Sequence, residues 1–397
     1  MFQSFWQAGF ESACHRNTAG VRLDLAALTQ HDTQVAADYR LVSARGLRTL
    51  RDGVRWPLID RGNGSYDLSW FLPQLGAAVS ASVQVIWTLC HYGFPDDLDV
   101  FSAAFVDRFA RYCRVIARAV REASDEVPFY TPVNEISFFS WAAGEEGRLV
   151  HPMVTHRGEE LKRNLVRATI TGIDAIRDVD PRARFVIVDP VIEVVPPRGR
   201  PDLVAAAAAQ TATQFEAWDM LAGLREPRLG GGPAYLDVVG VNYYHSNQWE
   251  YLDGRLRWED EPRDDRWIPL RLLLARVYER YRRPTIVGET SHFGVGRGRW
   301  IREIGEEVAG ALRMGVPLEG VCLYPIIDRP DWEDGHWHNS GLWDLQRGGD
   351  GRLVRVLNEE YDLRLKEAEA IVAGARECSP LGSRPWGQVA KRHFLGT

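Results

Sequence analysis

The stretch Pro128-Phe-Tyr-Thr-Pro-Val-Asn-Glu-Ile-Ser-Phe-Phe139 decides the predicted fold. Its aromatic and β-branched residues are typical of a short buried strand. Two polar residues, Asn134 and Glu135, follow at the carboxyl end, which is where a parallel barrel carries its chemistry. Because burial disfavours the charged form of a carboxyl group, these apolar neighbours are expected to raise the pKa of Glu135 into the range of a general acid.

A second stretch of the same kind occurs at 284–289, where a β-branched run ends in Glu289. Taken singly, either glutamate would more often be a solvated or salt-bridged loop residue. Two acids in the same context, each at the end of a strand, instead suggest glycoside hydrolysis.

Strand and helix patterns alternate along the whole chain, which indicates a parallel sheet with crossover helices, and eight of each closes a barrel. We therefore predict a single-domain α/β protein, a (β/α)8 TIM barrel with elaborated βα loops over 1–376, and a surface tail over 377–397. A helix over 30–46 is expected to have Thr29 as its N-cap. Residues 140–158 are expected to form a loop, and the Trp- and Arg-rich insertion 246–267 to cover one side of the strand ends. The predicted strands are 5–11, 47–59, 83–91, 128–135, 184–190, 235–245, 284–289 and 320–328, and the other predicted helices are 68–78, 102–123, 159–178, 202–222, 269–281 and 300–314, with one more within 352–376.

Composition narrows the classes of function. The chain has 397 residues, 45% of them hydrophobic, so it can bury a large core. A net charge of −6 without a long like-charge block favours neither nucleic acid nor an anionic membrane as a partner. Fourteen Trp and thirteen Tyr suit a carbohydrate site, because sugars stack on aromatic rings.

The absence of a signal-like start, and an odd number of unpatterned cysteines, predict a cytoplasmic protein with reduced thiols. No cofactor is predicted, and no metal either. His336 and His338 lie beside Asp334 but have no third ligand at a metal-like spacing. Cys90 is expected to be inert, because an apolar strand interior raises the pKa of a thiol.

Six segments in order resemble the clan A β-glycosidases, most closely the family 1 glycoside hydrolases of the β-glucosidase and β-galactosidase type. The segments are TPVNEI at 131–136, IVGET at 286–290, TLCHYGFP at 88–95, VVGVNYYH at 238–245, YPIIDRPDWEDG at 324–335 and NSGLWDL at 339–345. The resemblance extends from about residue 5 to 345.

The resemblance implies a role for each matched residue. Glu135 would be the acid/base and Glu289 the nucleophile, and Asn134 would bind the sugar 2-hydroxyl. Arg55 would fix the nucleophile. The remaining implied substrate contacts are His91, Trp332 and one of Tyr243 and Tyr244.

The departures from the family pattern fall in the sugar-recognition positions. Only Glu11 stands where the family's first strand carries Gln and then Glu, Tyr324 replaces a Trp, and Asp331 replaces a Glu. The shorter Asp331 side chain would lose hydroxyl contacts or make them through water.

The predicted function is a retaining β-glycosidase acting on a small-molecule glycoside or oligosaccharide, with the two carboxyl groups about 5 to 5.5 Å apart. A transglycosylase or a hydrolase of a specialised sugar conjugate is an alternative, given the altered subsite. A non-catalytic, sugar-binding pseudoenzyme is the alternative from another class. The sugar, the aglycone, the linkage and the oligomeric state stay open.

Overall fold

The computed structural model describes residues 1–377 of the chain. Its centre is a closed barrel of eight parallel strands, arranged in sequence order around the ring. The strands are β1 (Trp6–Gly9), β2 (Thr49–Gly53), β3 (Gln84–Cys90), β4 (Phe129–Val133), β5 (Arg184–Pro190), β6 (Val238–Asn242), β7 (Thr285–Thr290) and β8 (Leu318–Leu323). Strand β1 pairs with both β8 and β2, which closes the ring. The predicted (β/α)8 barrel is confirmed.

A helix follows each strand and packs outside the barrel. These helices are α1 (His31–Ala44), α2 (Leu72–Ala81), α3 (Ala103–Ala123), α4 (Gly158–Arg177), α5 (Glu216–Ala222), α6 (Leu270–Tyr281), α7 (Arg297–Arg313) and α8 (Glu359–Glu377). Of the predicted tail 377–397, only Glu377 lies within the described residues.

Several predicted boundaries differ from the observed ones. The predicted helix 202–222 is divided into Val204–Ala212 and α5 by the 3-10 turn Thr213–Phe215. The predicted strand 47–59 is only β2, followed by a short helix, Trp56–Ile59. Residues Ser140–Glu145, expected in a loop, form a π-helical turn.

Thr29 is not the N-cap of α1. The cap position is Gln30, whose backbone is left-handed and whose side chain makes no capping bond. The Thr29 hydroxyl donates instead to the carbonyls of Leu25 and Ala26, and so closes the preceding helical turn. Ser, Thr, Asp and Asn compete for backbone groups on either side of a boundary, which makes a single Thr an ambiguous signal.

Smaller two-stranded sheets decorate the barrel. Glu193–Val195 pairs with Gln248–Glu250, so the insertion 246–267 is fastened to the loop after β5. Arg329–Pro330 pairs with Trp337–His338 in a hairpin after β8. The other pairs are Cys14–Arg16 with Arg22–Asp24, Asp60–Gly62 with Ser65–Tyr66, and Trp343–Arg347 with Leu353–Leu357.

The core has two parts. A small cluster fills the barrel interior, and a large one lies between the strands and the helices. The interior cluster is made of Ile86, Phe129, Val186, Val188, Val238 and Ile286. Side chains alternate along a strand, so the positions of this interior cluster indicate which residues nearer the carboxyl ends of the same strands also face inward.

Four cysteines in the described part, at 14, 90, 113 and 322, are buried free thiols, and Cys378 lies outside it. Burial raises the pKa of Cys90 to about 12, in agreement with the inert thiol predicted for it. Within residues 1–377 no helix combines the length and the apolar character that crossing a bilayer requires.

Candidate active site

The two predicted catalytic glutamates lie in the same hydrogen-bond network at the carboxyl ends of β4 and β7. Glu135 and Glu289 are both buried. They are connected through the side chains of Tyr92, Asn134 and Arg51. The barrel therefore brings together two acids that are 154 positions apart in the sequence (289 minus 135).

A β-bulge turns Glu289 toward the barrel interior. Ile286 faces inward, so strict alternation would turn Gly288 inward and Glu289 outward. The pairing of β6 with β7 instead skips one residue, and Asn242 lies opposite Glu289. A bulge re-aims a side chain in this way beside many active sites. A Cβ at Gly288 would lie 2.7 Å from the amide oxygen of Asn242, so a larger residue there would displace the amide that donates to Glu135.

Glu289 accepts hydrogen bonds from a cation and from a phenol. The guanidinium of Arg51 donates to its Oε1, and the hydroxyl of Tyr244 donates to its Oε2 over 2.7 Å. Both contacts stabilise the ionised carboxylate. Glu289 thus has the kind of surroundings that a carboxylate nucleophile would need.

The predicted contact of Arg55 with the nucleophile is wrong. Arg55 donates to Asp24 over 2.7 Å and lies 3.4 Å from a carboxylate oxygen of Asp32. Because β2 ends at Gly53, Arg55 has already left the barrel wall and stands at the start of a short helix. Arg51, within the strand and facing inward, takes the expected place.

Glu135 accepts hydrogen bonds from neutral donors. The Tyr92 hydroxyl donates to its Oε2, and the Asn242 amide donates to its Oε1 over 2.9 Å. Its backbone is left-handed, with φ of 45°, which a non-glycine residue adopts rarely and mostly where function requires it. Burial, and then the negative charge of Glu289, raise the pKa of Glu135 well above its ordinary value, as expected for a general acid.

Asn134 connects the surroundings of the two acids. Its oxygen accepts a hydrogen bond from Arg51, and its nitrogen lies 3.0 Å from the Tyr92 hydroxyl and 3.1 Å from Nε2 of His91. Its side chain is therefore fixed between Arg51 and Tyr92, the residues that donate to Glu289 and to Glu135.

His91 lies between Asn134 and the predicted recognition residues. Its Nδ1 is 3.2 Å from the Tyr324 hydroxyl and 3.3 Å from that of Ser12. Burial, though partly opposed by the charge of Glu289, lowers the pKa of His91 to about 3, so the ring is neutral near pH 7. A neutral imidazole offers one donor and one acceptor, which suits a sugar hydroxyl.

Glu11 gathers the other recognition residues. Its Oε1 accepts from the backbone N–H groups of Ser12 and Ala13, each over 3.0 Å, and its Oε2 accepts from the Trp332 indole over 3.1 Å. The Tyr324 hydroxyl is 3.4 Å away. Glu11, Tyr324 and Trp332 are thus brought together beside His91, as the sequence predicts.

Asp331 is turned away from this group. It accepts from the backbone of Glu333 over 2.8 Å, and Nε2 of His338 lies 3.3 Å from it. These contacts hold it in the hairpin after β8, where it is partly exposed. The structure therefore does not place Asp331 with Glu11, and the shorter side chain is engaged locally.

The choice between the two adjacent tyrosines is resolved in favour of Tyr244, which contacts Glu289. Tyr243 points to the other side of the strand end. Its ring stacks on Trp300 with the centroids 5.6 Å apart, and its hydroxyl accepts from Gln248 over 2.8 Å. Tyr243 is a packing residue.

Three residues of the site were not assigned a role from the sequence, namely Arg51, Tyr92 and Asn242. Tyr92 and Asn242 lie inside the quoted motifs, directly after His91 and directly before Tyr243. Strand alternation around the motif residues could have indicated Arg51 and Asn242 as inward-facing.

Metal-binding side chains come together at a different place from the one considered in the sequence. His338 contacts Asp331 alone among acidic side chains of the described residues, and His336 is exposed. The cluster in the described chain that could hold an ion is His245, Glu259 and His292, beside the ends of β6 and β7.

The sequence matches no family model and no curated protein. The structure, in contrast, resembles many solved ones. A β-glucosidase from Thermotoga maritima in complex with glucoimidazole has 14% identity and a TM-score of 0.73, over 93% of this chain and 98% of that one. The AHE enzyme from Alicyclobacillus herbarius has 17% identity and a TM-score of 0.74, over 94% and 100%. A further structure, the family 1 β-glucosidase from Thermotoga maritima, has 14% identity and a TM-score of 0.72, over 93% and 97%.

At these identities the similarity establishes the architecture, and it extends over nearly the whole of both chains. The predicted structural resemblance is therefore confirmed: this protein has the (β/α)8 barrel of the family 1 β-glucosidases.

Proposed function

We propose that the protein is a retaining β-glycosidase in which Glu289 is the nucleophile and Glu135 the acid/base. One observation carries the proposal: two buried carboxyl groups in one network have opposite surroundings. A guanidinium and a phenol contact Glu289, whereas Glu135 has only neutral donors and lies near a second negative charge. Paired carboxyls whose surroundings separate their protonation states are the requirement for acid and nucleophile in one site.

In the first step the Glu289 carboxylate attacks the anomeric carbon, and the glycosidic C–O bond breaks. The proton of Glu135 goes to the departing oxygen, so the aglycone leaves as a neutral alcohol. A covalent glycosyl ester on Glu289 remains, which requires the two carboxyls to stand about 5 to 5.5 Å apart.

The second step follows from the coupling of the two acids. The charge of Glu289 helps to raise the pKa of Glu135, and forming the ester removes that charge. The pKa of Glu135 therefore falls in the intermediate, and its carboxylate can take a proton from water. The water oxygen attacks the anomeric carbon, the ester bond breaks, and the sugar leaves with its original configuration.

We propose a small glycoside as the substrate, with the sugar between Asn134, His91 and Glu11. A specialised sugar, or transfer to an acceptor other than water, is the second candidate. The observation that favours it is the position of Asp331, which is held in the hairpin by His338 rather than beside Glu11 and Trp332. The contacts to the outer sugar hydroxyls would then differ from those of an ordinary glucose subsite.

The test is a panel of aryl β-glycosides that includes glucoside, galactoside, mannoside, xyloside and fucoside. We expect one or more to release the aryl alcohol, and kcat/KM to fall by about 10²–10⁴-fold in Glu135→Gln and further in Glu289→Ala. Glu126→Gln, an exposed change of the same chemistry, is the matched control.

Azide separates a lost nucleophile from a damaged fold. In Glu289→Ala, azide can enter from the face that the carboxylate has left, so we expect restored turnover and a glycosyl azide of inverted configuration. Adding methanol to the unmutated enzyme distinguishes hydrolysis from transfer by the ratio of sugar to methyl glycoside. No turnover of any panel member, and no covalent adduct with 2-deoxy-2-fluoro glycosides, would support the non-catalytic alternative.

A further inference from the structure

Three metal-binding side chains meet next to the active site without belonging to it. His245 lies three residues after the end of β6, His292 two residues after β7, and Glu259 in the insertion 246–267. One ligand atom from each lies within 4.8 Å of the other two. Three separate loops thus converge on one point.

Each of the three side chains points an unpaired polar atom into the cluster. Nδ1 of His245, Nε2 of His292 and Oε2 of Glu259 are buried and have no hydrogen-bond partner. The two histidines are 6% and 7% exposed, so water does not reach them freely. Buried polar atoms without a partner are costly, and three in one place require an explanation.

The other polar atoms of His292 and Glu259 have hydrogen-bond partners. Nδ1 of His292 lies 3.0 Å from the carbonyl oxygen and 2.8 Å from the N–H of Phe293. A metal ion at Nε2 requires the tautomer whose ring proton is on Nδ1 and is donated to the Phe293 carbonyl, because Nε2 then presents a lone pair to the cluster. Arg255 donates to Oε1 of Glu259 over 3.1 Å and leaves Oε2 free.

The surroundings also suit an ion. The indole of Trp258 lies 5.0 Å from the His292 ring and that of Trp300 6.0 Å from it, which gives the site an aromatic shell.

We propose that His245, Glu259 and His292 bind one divalent transition-metal ion, with Zn²⁺ as the preferred ion and water as the fourth ligand. Two imidazole nitrogens and one carboxylate oxygen form a ligand set that Zn²⁺ uses, with tetrahedral bonds of about 2.0–2.2 Å. Ligand atoms of such a tetrahedron are about 3.3 Å apart. Nε2 of His292 lies 3.4 Å from Oε1 of Glu259, so a small rotation of that carboxylate would bring its unpaired Oε2 to the ion.

The ion is structural, because both histidines are buried and none of the three side chains hydrogen-bonds to Glu135 or Glu289. It joins the ends of β6 and β7 to the insertion. Tyr244 and Glu289 are one and three residues from the two histidines, so the ion holds the segments that carry the nucleophile and its phenol partner.

The first experiment measures metal in the tag-free protein purified without chelator. We expect close to one Zn²⁺ per chain by elemental analysis. After stripping with dipicolinate, ZnCl₂ should bind in competition with a chromophoric chelator and raise the thermal midpoint. Co²⁺ added to the stripped protein should give the intense visible bands of a tetrahedral site.

Variants decide which residues are the ligands. Glu259→Gln keeps the size of the side chain, and His292→Ala removes a ligand entirely. Each should weaken Zn²⁺ binding by more than about 100-fold, since changing even an outer-shell partner costs 10- to 100-fold. His336→Ala, an exposed histidine in the hairpin after β8, should leave binding unchanged.

Two results would overturn the proposal. One is a stripped, folded wild-type protein that neither competes for Zn²⁺ nor shows tetrahedral Co²⁺ bands, which would assign the cluster to a His292–Glu259 ion pair. The other is an equal effect of His336→Ala and Glu259→Gln. The wild-type measurements test the proposal without the variants, so it can be refuted even if a variant fails to fold.

Discussion

Arg51 and Asp52 are neighbours on β2, both are 1% exposed, and they serve two different buried networks. Arg51 points into the barrel, where it contacts Glu289 and Asn134. Asp52 points outward, where it accepts from His31 over 2.9 Å and from the Tyr39 hydroxyl over 2.6 Å. Neighbouring residues of one strand thus belong to the candidate active site and to a separate ion network.

The network around Asp52, here called the outer network, consists of residues that pair with one another. His31 bridges Asp52 and Asp38, the latter over 2.7 Å, and Arg355 donates to Asp38 over 2.7 Å. It joins α1 to β2 and to the strand Leu353–Leu357. Both networks are buried and contain charged groups, so burial and charge do not identify an active site by themselves. The distinguishing features are the position at the carboxyl ends of the strands and a pair of acids with different surroundings.

The largest expected effect comes from a substitution in the network around Glu289, and it is an effect on activity. Arg51→Met removes the cation from Glu289 and one partner from Asn134, so kcat/KM should fall by about 10²–10³-fold, as when one preorganised donor is lost. The measurement uses the best aryl glycoside of the panel, with the thermal midpoint recorded alongside.

Arg55→Met is the matched control, because Arg55 pairs with Asp24 outside the inner network. It should lower the thermal midpoint while leaving kcat/KM much closer to wild type. Equal losses of kcat/KM in the two variants would refute the assignment of Arg51 to the nucleophile.

These two arginines also show how much of the site can be predicted from the sequence. Buried apolar runs and their alternation with helices are enough to predict eight strands, eight helices and both glutamates. No local sequence pattern marks the end of β2 at Gly53. The contact with Glu289 was therefore assigned to Arg55, whereas Arg51 makes it in the structure. For a similar reason the sequence did not show which of Tyr243 and Tyr244 contacts Glu289. The direction in which a side chain points at a strand end depends on the strand register and on bulges.

Contacts between distant loops are outside the reach of a single sequence. His245, Glu259 and His292 are separated by 14 and 33 positions (259 minus 245, and 292 minus 259), and no metal motif has such spacing. The placement of Asp331 also depends on a partner, His338, in the opposite strand of a hairpin. These features exist only once the barrel has brought its loops together.

The next effect is on stability, and it concerns the outer network. His31→Gln removes the charge between two buried carboxylates, which should lower the free energy of unfolding by about 3–5 kcal/mol. Chemical denaturation measures the loss, and kcat/KM of the folded protein should change little.

Arg61→Gln provides the comparison for that variant. It breaks an exposed pair with Asp67, in which Arg61 is 50% exposed, so it should cost less than about 1 kcal/mol. A loss for His31→Gln as small as that for Arg61→Gln would mean that the outer network adds nothing to stability.

The smallest expected effect is a difference in how the two networks respond to rising pH. Although burial opposes it, the charges and hydrogen bonds of Asp52 and Asp38 raise the pKa of His31 from 6.5 to about 9. A raised pKa in the folded state means that this stabilisation is complete below pH 6.5 and is lost as the pH rises toward 9. The proposed activity should also fall at alkaline pH, for a different reason: Glu135, whose pKa is raised by burial and by Glu289, would lose the proton that a general acid donates.

His31→Gln distinguishes these two alkaline losses. Between about pH 6 and pH 10, the variant should lose the part of the pH dependence of unfolding that comes from His31, since a neutral amide does not titrate in this range. The alkaline limb of kcat/KM should stay where it is in the wild type, because the Glu135 side chain hydrogen-bonds, among the described residues, to Tyr92 and Asn242 and to no member of the outer network. A limb that moves with His31→Gln would show that Arg51 and Asp52 couple the networks through β2, and the two could then no longer be treated as separate devices.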